Sequence, residues 1–262
     1  MEKHQLSLRA LLHGQVRPLG WAAAASLIAA IALTLWPDPL FPYETRWGDI
    51  ELRSDRPLPE GVFAVLADVQ RRIATTDLPP AGPYRVYLCN ETWRLHVFGR
   101  SWSAGFGGIT DVWLTGNIFI RPADIDRNTV IPPPHWRFSL ADRPLSYFIA
   151  HEITHVQQVA ALGRWRYART PDWLIEGYAD HVAKAGDFDA AANLRMLRDG
   201  ASELDPRLGL YRRHQLAVEA ALQTDDWLSL VANPPEEAAL LRSLLDAGIR
   251  LSTAPVDSGG QQ

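Results

Sequence analysis

The chain has 262 residues, of which 47% are hydrophobic and 21% are charged, and its formal net charge is -4. This length and composition exclude a collagen, a disordered tail protein and a small disulfide-stapled domain, and the single cysteine, Cys89, excludes an intramolecular disulfide. Acidic and basic residues are mixed along the chain, so the sequence predicts no positive surface field that would attract nucleic acid.

Residues 19–36 form an apolar segment of 18 residues without a charge. As a helix this segment is long enough to cross the hydrocarbon core of a bilayer, and Trp21 and Trp36 lie near its ends, where indole rings favour the membrane–water boundary. Basic residues precede the segment and acidic residues follow it, so the positive-inside rule predicts a cytoplasmic N-terminal segment, residues 1–18, and an extracytoplasmic body. We therefore predict a single-pass transmembrane signal anchor, with the body in the periplasm if the source is Gram-negative. The alternative is a cleaved signal peptide with a small-residue site at residues 30–32.

The next part of the chain has patterns typical of a small sheet. Residues 44–53 alternate and predict one strand, residues 59–75 have the apolar spacing of an amphipathic helix, and residues 84–88 predict a second strand. Between residues 97 and 121, apolar patches broken by glycines predict two or three short strands with tight turns. Residues 126–137, which contain three successive prolines, predict a loop.

The second half of the chain has a helical pattern, from Ser139 to about Ile249, and residues 251–262 predict a flexible polar tail. The sequence has no internal repeat and no low-complexity block. Strands followed by helices predict an α+β fold, with one domain over residues 44–250 in which a small sheet precedes the helices.

Residues 151–155 carry a His-Glu-Ile-Thr-His motif within the first long helical pattern. Asp142 is a candidate helix cap, Pro144 suits a first turn and Gly163 suits a helix end. Histidines four residues apart on a helix lie on one face, which is the spacing that holds one Zn²⁺ through two imidazoles. Glu152, beside the first histidine, is then placed to take a proton from a metal-bound water as the general base.

A second predicted helix supplies the remaining groups of a metal site. Pro171 and Asp172 form a helix-start signal, and Glu176 and Asp180 follow on one helical face. A catalytic zinc site needs a third protein ligand and an open position, which predicts Glu176 as that ligand. A metal-bound histidine also needs a partner on its other ring nitrogen, which predicts Asp180 in that position.

The segment from His151 to Asp180, with the phrases HEITH and WLIEGYAD, resembles the gluzincin metallopeptidases, the class that includes thermolysin-like enzymes and the aminopeptidase N family. The resemblance implies a zincin-like fold with Zn²⁺ bound by His151, His155 and Glu176. It implies that Glu152 is the general base and that Asp180 supports the first histidine. It also implies a sheet whose edge strand lies along the cleft and pairs with a peptide substrate. The chain lacks both the G-x-M-E-N phrase of the aminopeptidase N relatives and a clear thermolysin substrate-strand sequence. Aminopeptidase action is therefore not supported, and endopeptidase action is implied by the class alone.

Two further roles have candidates by position or by class. The candidate substrate edge strand is Gly116, Asn117 and Ile118, for which an inner strand is the alternative. Members of the class often use a Tyr or His from a later helix to stabilise the oxyanion, and the candidates here are Tyr178, Tyr211 and His214. A surface or core position is the alternative for each of these three side chains.

These features together predict a membrane-anchored, extracytoplasmic, zinc-dependent peptidase that acts on a peptide or protein substrate. An intramembrane protease is excluded because the helix around the motif carries Glu, Gln and Arg and is too polar for lipid. Two alternatives stay open: a catalytically inactive zinc-binding scaffold, and an assembly or chaperone protein of the cell envelope.

Overall fold

The structure, a computed structural model, describes residues 21, 24–26, 28, 31–99, 105–136 and 138–247. It divides into two compact units, Met1–Pro42 and Tyr43–Gln262. In the first unit, residues 31–35 are helical and Asp38–Leu40 form a 3-10 helix. Seven of the 18 residues of the predicted anchor, residues 19–36, and the whole of residues 1–18 and 251–262 lie outside the described residues. Within the described part of the chain, no helix is both long enough and apolar enough to cross a bilayer.

The second unit has an α+β fold with a small mixed sheet. Its strands are β1 (Tyr43–Trp47), β2 (Ile50–Ser54), β3 (Tyr84–Leu88), β4 (Gly108–Thr110), β5 (Ile118–Ile120), β6 (Ala123–Asp124) and β7 (Thr129–Val130). The five-stranded sheet has the order β1-β2-β3-β5-β4, in which β2, β3 and β5 are parallel. The two outer strands, β1 and β4, are antiparallel to their neighbours, and β6 and β7 form a separate hairpin.

Helices make up most of the rest of this unit. They are α1 (Val62–Ile73), α2 (Thr92–Phe98), α3 (Leu145–Leu162), α4 (Arg164–Tyr167), α5 (Asp172–Lys184), α6 (Ala190–Asp199), α7 (Arg212–Ala221), α8 (Trp227–Ala232) and α9 (Glu237–Ala247), with 3-10 helices at Ser202–Leu204 and Pro206–Leu208. Helix α1 lies within the helix predicted over residues 59–75, and β3 has the predicted bounds, so both predictions are confirmed.

The prediction of one strand over residues 44–53 is wrong. β1 and β2 form a hairpin in which Trp47 pairs with Ile50 across Gly48 and Asp49. Gly48 has a φ of 55°, a value that two-residue hairpin turns use and that glycine adopts without strain. The loose alternation of polar and apolar residues shifts its phase at this turn, from Trp47 to Ile50 and Leu52, and the prediction of a single strand overlooks that shift.

Between residues 97 and 121 the described residues contain two short strands, β4 and β5, as predicted. Two smaller differences concern the neighbouring segments, and the first is that Thr92–Phe98 form α2, which the sequence pattern does not predict. The predicted loop over residues 126–137 contains β7, which pairs with β6. Strands of two or three residues are too short to show a period of their own.

Apolar side chains of the second unit form two clusters. The first joins the sheet to α1 and α3, and the second joins α5 to α6, α7, α8 and α9. Every residue of α3 from Leu145 to His155 is buried, so this helix is enclosed on all sides over its first three turns. The histidine motif therefore lies inside the protein, next to both clusters.

A polar bridge from α1 fixes the helices α3 and α5 relative to each other. Asp68 of α1 accepts a hydrogen bond from Ser146 of α3 at 2.5 Å and from Arg72 at 2.8 Å. Arg72 is buried and also donates to the main-chain oxygen of Ala183 in α5 at 2.6 Å. Because one pair of side chains on α1 contacts both helices, it sets the separation between the histidine face of α3 and the acidic face of α5.

Candidate metal centre

Helix α3 brings the two motif histidines to one face. It begins directly after Pro144 and ends at Gly163, whose φ of 72° is outside the helical range. Asp142 does not cap the helix, because its carboxylate pairs with an arginine of α7 at 3.2 Å. His151 and His155 lie one turn apart, with their ring centroids 4.8 Å apart and their Nε2 atoms 3.2 Å apart.

Helix α5 presents Glu176 to the same point. It begins after Pro171, and Glu176 lies in its second turn. Glu176 Oε2 is 3.2 Å from His151 Nε2 and 3.7 Å from His155 Nε2. One ligand atom from each of these three side chains lies within 4.8 Å of the others. The structure thus brings together the three residues that the sequence predicts as metal ligands.

The hydrogen bonds of the outer ring nitrogens decide what this cluster can hold. His151 Nδ1 lies 3.1 Å from Asp180 Oδ1, and His155 Nδ1 lies 3.0 Å from Gln158 Oε1. Gln158 Nε2 donates to a main-chain oxygen of α5 at 3.0 Å, which fixes the amide with its oxygen toward the histidine. In the neutral form of each ring Nδ1 is then the donor, and both Nε2 atoms carry lone pairs that converge with the carboxylate oxygen from α5. Three acceptors that face one another repel unless a cation lies between them, and two imidazoles with one carboxylate fit a divalent metal ion.

The charges of the cluster agree with its need for a cation. Burial lowers the pKa of His151, but hydrogen bonds to Asp180 and Glu176 outweigh burial and raise this pKa to about 10. Burial raises the pKa of the Glu176 carboxyl, but the charge of His155 and the hydrogen bond from His151 hold it below its usual range. The surroundings therefore stabilise a positive charge between these residues, whether a proton or a metal ion carries it.

Asp180, which contacts His151, is itself held as an anion. It is fully buried, its Oδ1 accepts a hydrogen bond from the Tyr147 hydroxyl, and its Oδ2 lies 3.2 Å from Lys184 Nζ and 3.4 Å from Arg143 Nη2. Burial raises the pKa of Asp180, but Lys184 and Arg143 hold it far below its usual range. A charged carboxylate in this position fixes the orientation and the tautomer of the histidine ring.

Arg143 also fixes the loop that precedes α7. It is buried and donates to the main-chain oxygens of Gly209, at 2.7 Å, and of Leu210. The next residue, Tyr211, has a φ of 47°, and its ring lies nearly parallel to that of His151, with 5.9 Å between the centroids and 11° between the planes. A tyrosine in the left-handed region is held there by its surroundings, and Arg143 makes two of the contacts on the adjoining residues.

Strand β4 lies against the motif helix and contacts Glu152. The Thr110 hydroxyl lies 2.7 Å from Glu152 Oε2 and 3.0 Å from the main-chain oxygen of Glu152, and it donates to either atom. A Cβ at Gly108 would lie 2.7 Å from Glu152 Cγ, so this close approach of strand and helix requires glycine. Among the described strands, β4 is the outermost on this side of the sheet.

The candidate metal ligands and β4 line one cleft of about 540 Å³. Glu152 lines it together with His151, His155 and Glu176, and so do all three residues of β4. The rest of the lining includes three tyrosines and several large apolar side chains: Tyr147, Tyr167, Tyr211, Phe106, Trp136, Phe138 and Phe148. A concave surface that combines a few convergent polar groups with apolar walls is typical of a ligand site.

The candidate edge strand Gly116, Asn117 and Ile118 is not at the sheet edge, and that prediction is wrong. Ile118 begins β5, which lies between β3 and β4, and Asn117 is buried. The main-chain groups of β5 pair with both neighbours, so no side of this strand is left for a peptide. The edge beside the cleft is β4, eight to ten residues earlier in the chain.

The three oxyanion candidates lie in different places. The Tyr178 hydroxyl lies 3.1 Å from Thr76 Oγ1, and its ring packs against Trp227 within the helical cluster, so Tyr178 is a core residue. His214 Nδ1 lies 2.8 Å from an oxygen of Glu237, and His214 does not line the cleft. Tyr211 does line it, beside His151.

Several side chains at the site are absent from the residues that the sequence predicts for it, among them Thr110, Arg143 and Tyr167. The Tyr167 hydroxyl lies 3.2 Å from His155 Nδ1, and Tyr167 lines the cleft. Tyr167 lies in the short segment between α3, which carries the two histidines, and α5, which carries Glu176. This position in the sequence is a signal that could have identified it. Thr110 lies 42 residues before Glu152 and has no comparable signal.

Comparisons with protein-family models, with curated proteins and with solved structures gave no match. The functional assignment therefore depends on the chemistry of the cleft and on the motif spacing.

Proposed function

We propose that the chain is a zinc-dependent endopeptidase with a zincin-like fold of the gluzincin type. The observation that supports this best is the convergence of His151, His155 and Glu176 in a cleft, beside the carboxylate of Glu152. Structural zinc sites are usually closed by four protein ligands, whereas a set of three leaves one position open. An open position next to a further carboxylate, that of Glu152, is the arrangement that hydrolysis requires.

When bound, Zn²⁺ would polarise the scissile carbonyl and lower the pKa of a water molecule. Glu152 accepts the proton of the attacking water and passes it to the leaving amine, so that the C–N bond breaks and the water oxygen stays on the carbonyl carbon. Thr110 orients the Glu152 carboxylate through its hydroxyl group. Of the tyrosines that line the cleft, Tyr147 already donates to Asp180, so Tyr211 and Tyr167 are the candidate hydroxyl donors for the negative charge that develops on the carbonyl oxygen.

The substrate of the proposed enzyme is an extended segment of peptide or protein. A segment laid along β4 would pair with the main chain of Gly108–Thr110 by β-augmentation. This position brings its scissile bond beside Glu152, because Thr110 and Glu152 are in direct contact. In the proposal residues 19–36 anchor the protein, and the second unit acts outside the cytoplasm, as the charge distribution of the sequence favours.

The test compares metal content and cleavage in variants of the full-length chain. The purified protein is expected to hold one zinc per chain and to cleave casein, with loss of cleavage on chelation. Glu152→Gln is expected to keep zinc and to lose cleavage by about 10²- to 10⁴-fold. Glu176→Gln is expected to lose zinc as well, whereas Glu203→Gln, at an exposed position, serves as the matched control that changes neither.

The outcomes separate the alternatives. A purified chain without zinc, or a Glu152→Gln variant with full activity, would refute the proposal. Stoichiometric zinc without cleavage, with unfolding on chelation, would favour the inactive zinc-binding scaffold or the assembly protein instead.

A further inference from the structure

An exposed aromatic surface adjoins the cleft. Trp113 and Leu114 lie in the turn after β4, and Trp165 lies in α4; they are 45%, 56% and 71% exposed. The rings of Trp113 and Trp165 meet edge to face with 5.9 Å between their centroids. We define these three residues, with Arg164, Arg166 and Arg169, as the rim patch.

The rim patch has a fixed shape. The Asp111 carboxylate accepts a hydrogen bond from the Thr115 hydroxyl at 2.9 Å, and the Asp111 amide donates to the Asn117 main-chain oxygen at 2.9 Å, so the turn is closed at its base. Arg164 donates from α4 to the main-chain oxygens of Val112, at 3.3 Å, and Leu114, at 3.4 Å. The turn and α4 therefore present their tryptophans side by side, and the exposed rings are not a result of a loose loop.

The charges around the rings indicate the kind of partner. Arg164, Arg166 and Arg169 are exposed, and residues 163–171 contain no acidic residue. Indole rings favour the interfacial region of a bilayer, and arginines beside them are attracted to anionic headgroups. A stable protein–protein interface takes about 20–30 residues from each partner, which is several times more than this patch offers.

We propose that the rim patch binds the surface of an anionic phospholipid bilayer. Val112 and Tyr167, next to the patch on both of its segments, line the cleft, so this contact would bring the mouth of the cleft to the headgroup region. The consequence that the substrate is a segment close to the membrane surface rests on the proposed function. The membrane contact itself does not, and its test needs neither zinc nor cleavage.

The test places an environment-sensitive fluorophore on the full-length Leu114→Cys variant, with the label on Leu228→Cys as the matched control at an exposed leucine of α8. The native Cys89 is buried, so it does not take up the label. The protein is combined with vesicles of phosphatidylcholine alone or mixed with phosphatidylglycerol. At position 114 we expect at least a doubling of emission with the anionic vesicles and quenching by nitroxide-labelled lipid, and at position 228 we expect neither.

Two sets of variants identify the side chains of the rim patch that make the contact with the vesicles. Arg166→Gln with Arg169→Gln removes charge but leaves the contacts of Arg164 with the turn, and we expect it to lower the ratio of lipid-bound to free label by roughly tenfold. Trp165→Ala is expected to reduce the quenching, whereas Trp93→Ala, at an exposed tryptophan of α2, is not. Equal responses to both kinds of vesicle, or a label that responds to polyglutamate but not to vesicles, would overturn the proposal; the second result would indicate an acidic polypeptide partner.

Discussion

Replacing Arg143 by methionine is the sharpest test of how the site is held together. Arg143 is 2% exposed and donates to two main-chain oxygens, those of Gly209 and Leu210, while its Nη2 lies 3.4 Å from Asp180 Oδ2. Methionine fills a similar volume but provides none of these contacts. The variant therefore leaves two carbonyl groups without their donor and a buried carboxylate with one cation fewer.

The expected loss can be worked out from these contacts. Breaking a buried ion pair by removing one partner costs about 3–5 kcal/mol, because the other charge stays buried. Asp180 keeps Lys184 at 3.2 Å and the hydroxyl of Tyr147, so the lower end of this range applies. We expect the free energy of unfolding to fall by about 3 kcal/mol. Release of the loop before Tyr211 should also lower kcat, by about 10²-fold if the tyrosine moves by 1 Å.

Urea unfolding of the full-length chain, followed by tryptophan fluorescence, measures the first quantity. Arg207→Met is the matched control, because the side chain of that arginine is 89% exposed and pairs with Asp205 at the surface, which predicts a change within about 0.5 kcal/mol. Arg143→Lys restores a charge near Asp180 but lacks the forked guanidinium group that reaches both carbonyls. Its free energy of unfolding should therefore lie between those of Arg143→Met and Arg207→Met. If Arg143→Met and Arg207→Met were equally stable, the reasoning about this buried network would be refuted.

Three further predictions concern the groups around the centre. Gln158→Leu removes the acceptor of His155 Nδ1 and should weaken zinc binding by about 10- to 100-fold in competition with a chelating dye; unchanged affinity would contradict this role. Tyr211→Phe should lower kcat by about 10²-fold while zinc content stays the same, and Tyr178→Phe, in the core, should lower it far less. Burial raises the pKa of Asp68, but hydrogen bonds from Ser146, Arg72 and Arg71 hold it below its ordinary value of 3.8. The stabilisation by Asp68 is therefore complete above pH 3.8 and disappears as the pH falls through the lowered pKa, so the stability difference from Asp68→Asn should shrink in that range; a constant difference in urea unfolding would contradict it.

The part of the site that the sequence predicts is the part that depends on one turn of helix. His151 and His155 are four residues apart on α3, and Glu176 and Asp180 are four apart on α5, so helical geometry alone puts each pair on one face. Pro144, Gly163 and Pro171 mark the ends of these helices by fixed backbone preferences, which sequence also shows. What joins the two pairs is the packing of α3 and α5, for which the sequence offers only the motif resemblance.

The edge strand could not be predicted in the same way as the helix residues, because its position depends on the order of the strands in the sheet. β4 and β5 are both three residues long, and the later of the two lies inside the sheet while the earlier lies at its edge. The uninterrupted apolar run Ile118–Ile120 is typical of a strand covered on both faces, and this is the feature that distinguishes it. Thr110 and Gly108 become recognisable as site residues only through their contacts with Glu152, across about forty residues of chain.

Arg143 shows why burial is the hardest property to predict here. It stands between Asp142 and Pro144 in a polar loop sequence, yet it is buried with Asp180 and Lys184, and all three have relative exposures of 2% or less. Replacing all members of such a buried charged network together by apolar side chains of similar volume is often neutral or stabilising, whereas removing one member alone is costly, so stability alone gives no reason for this network. The contacts of the network supply a reason for its presence. Asp180 orients the ring of His151, and Arg143 holds the loop that positions Tyr211 beside that ring. The network is therefore best understood as the part of the fold that links the ligand geometry of α3 and α5 to the hydroxyl group contributed by the loop before α7.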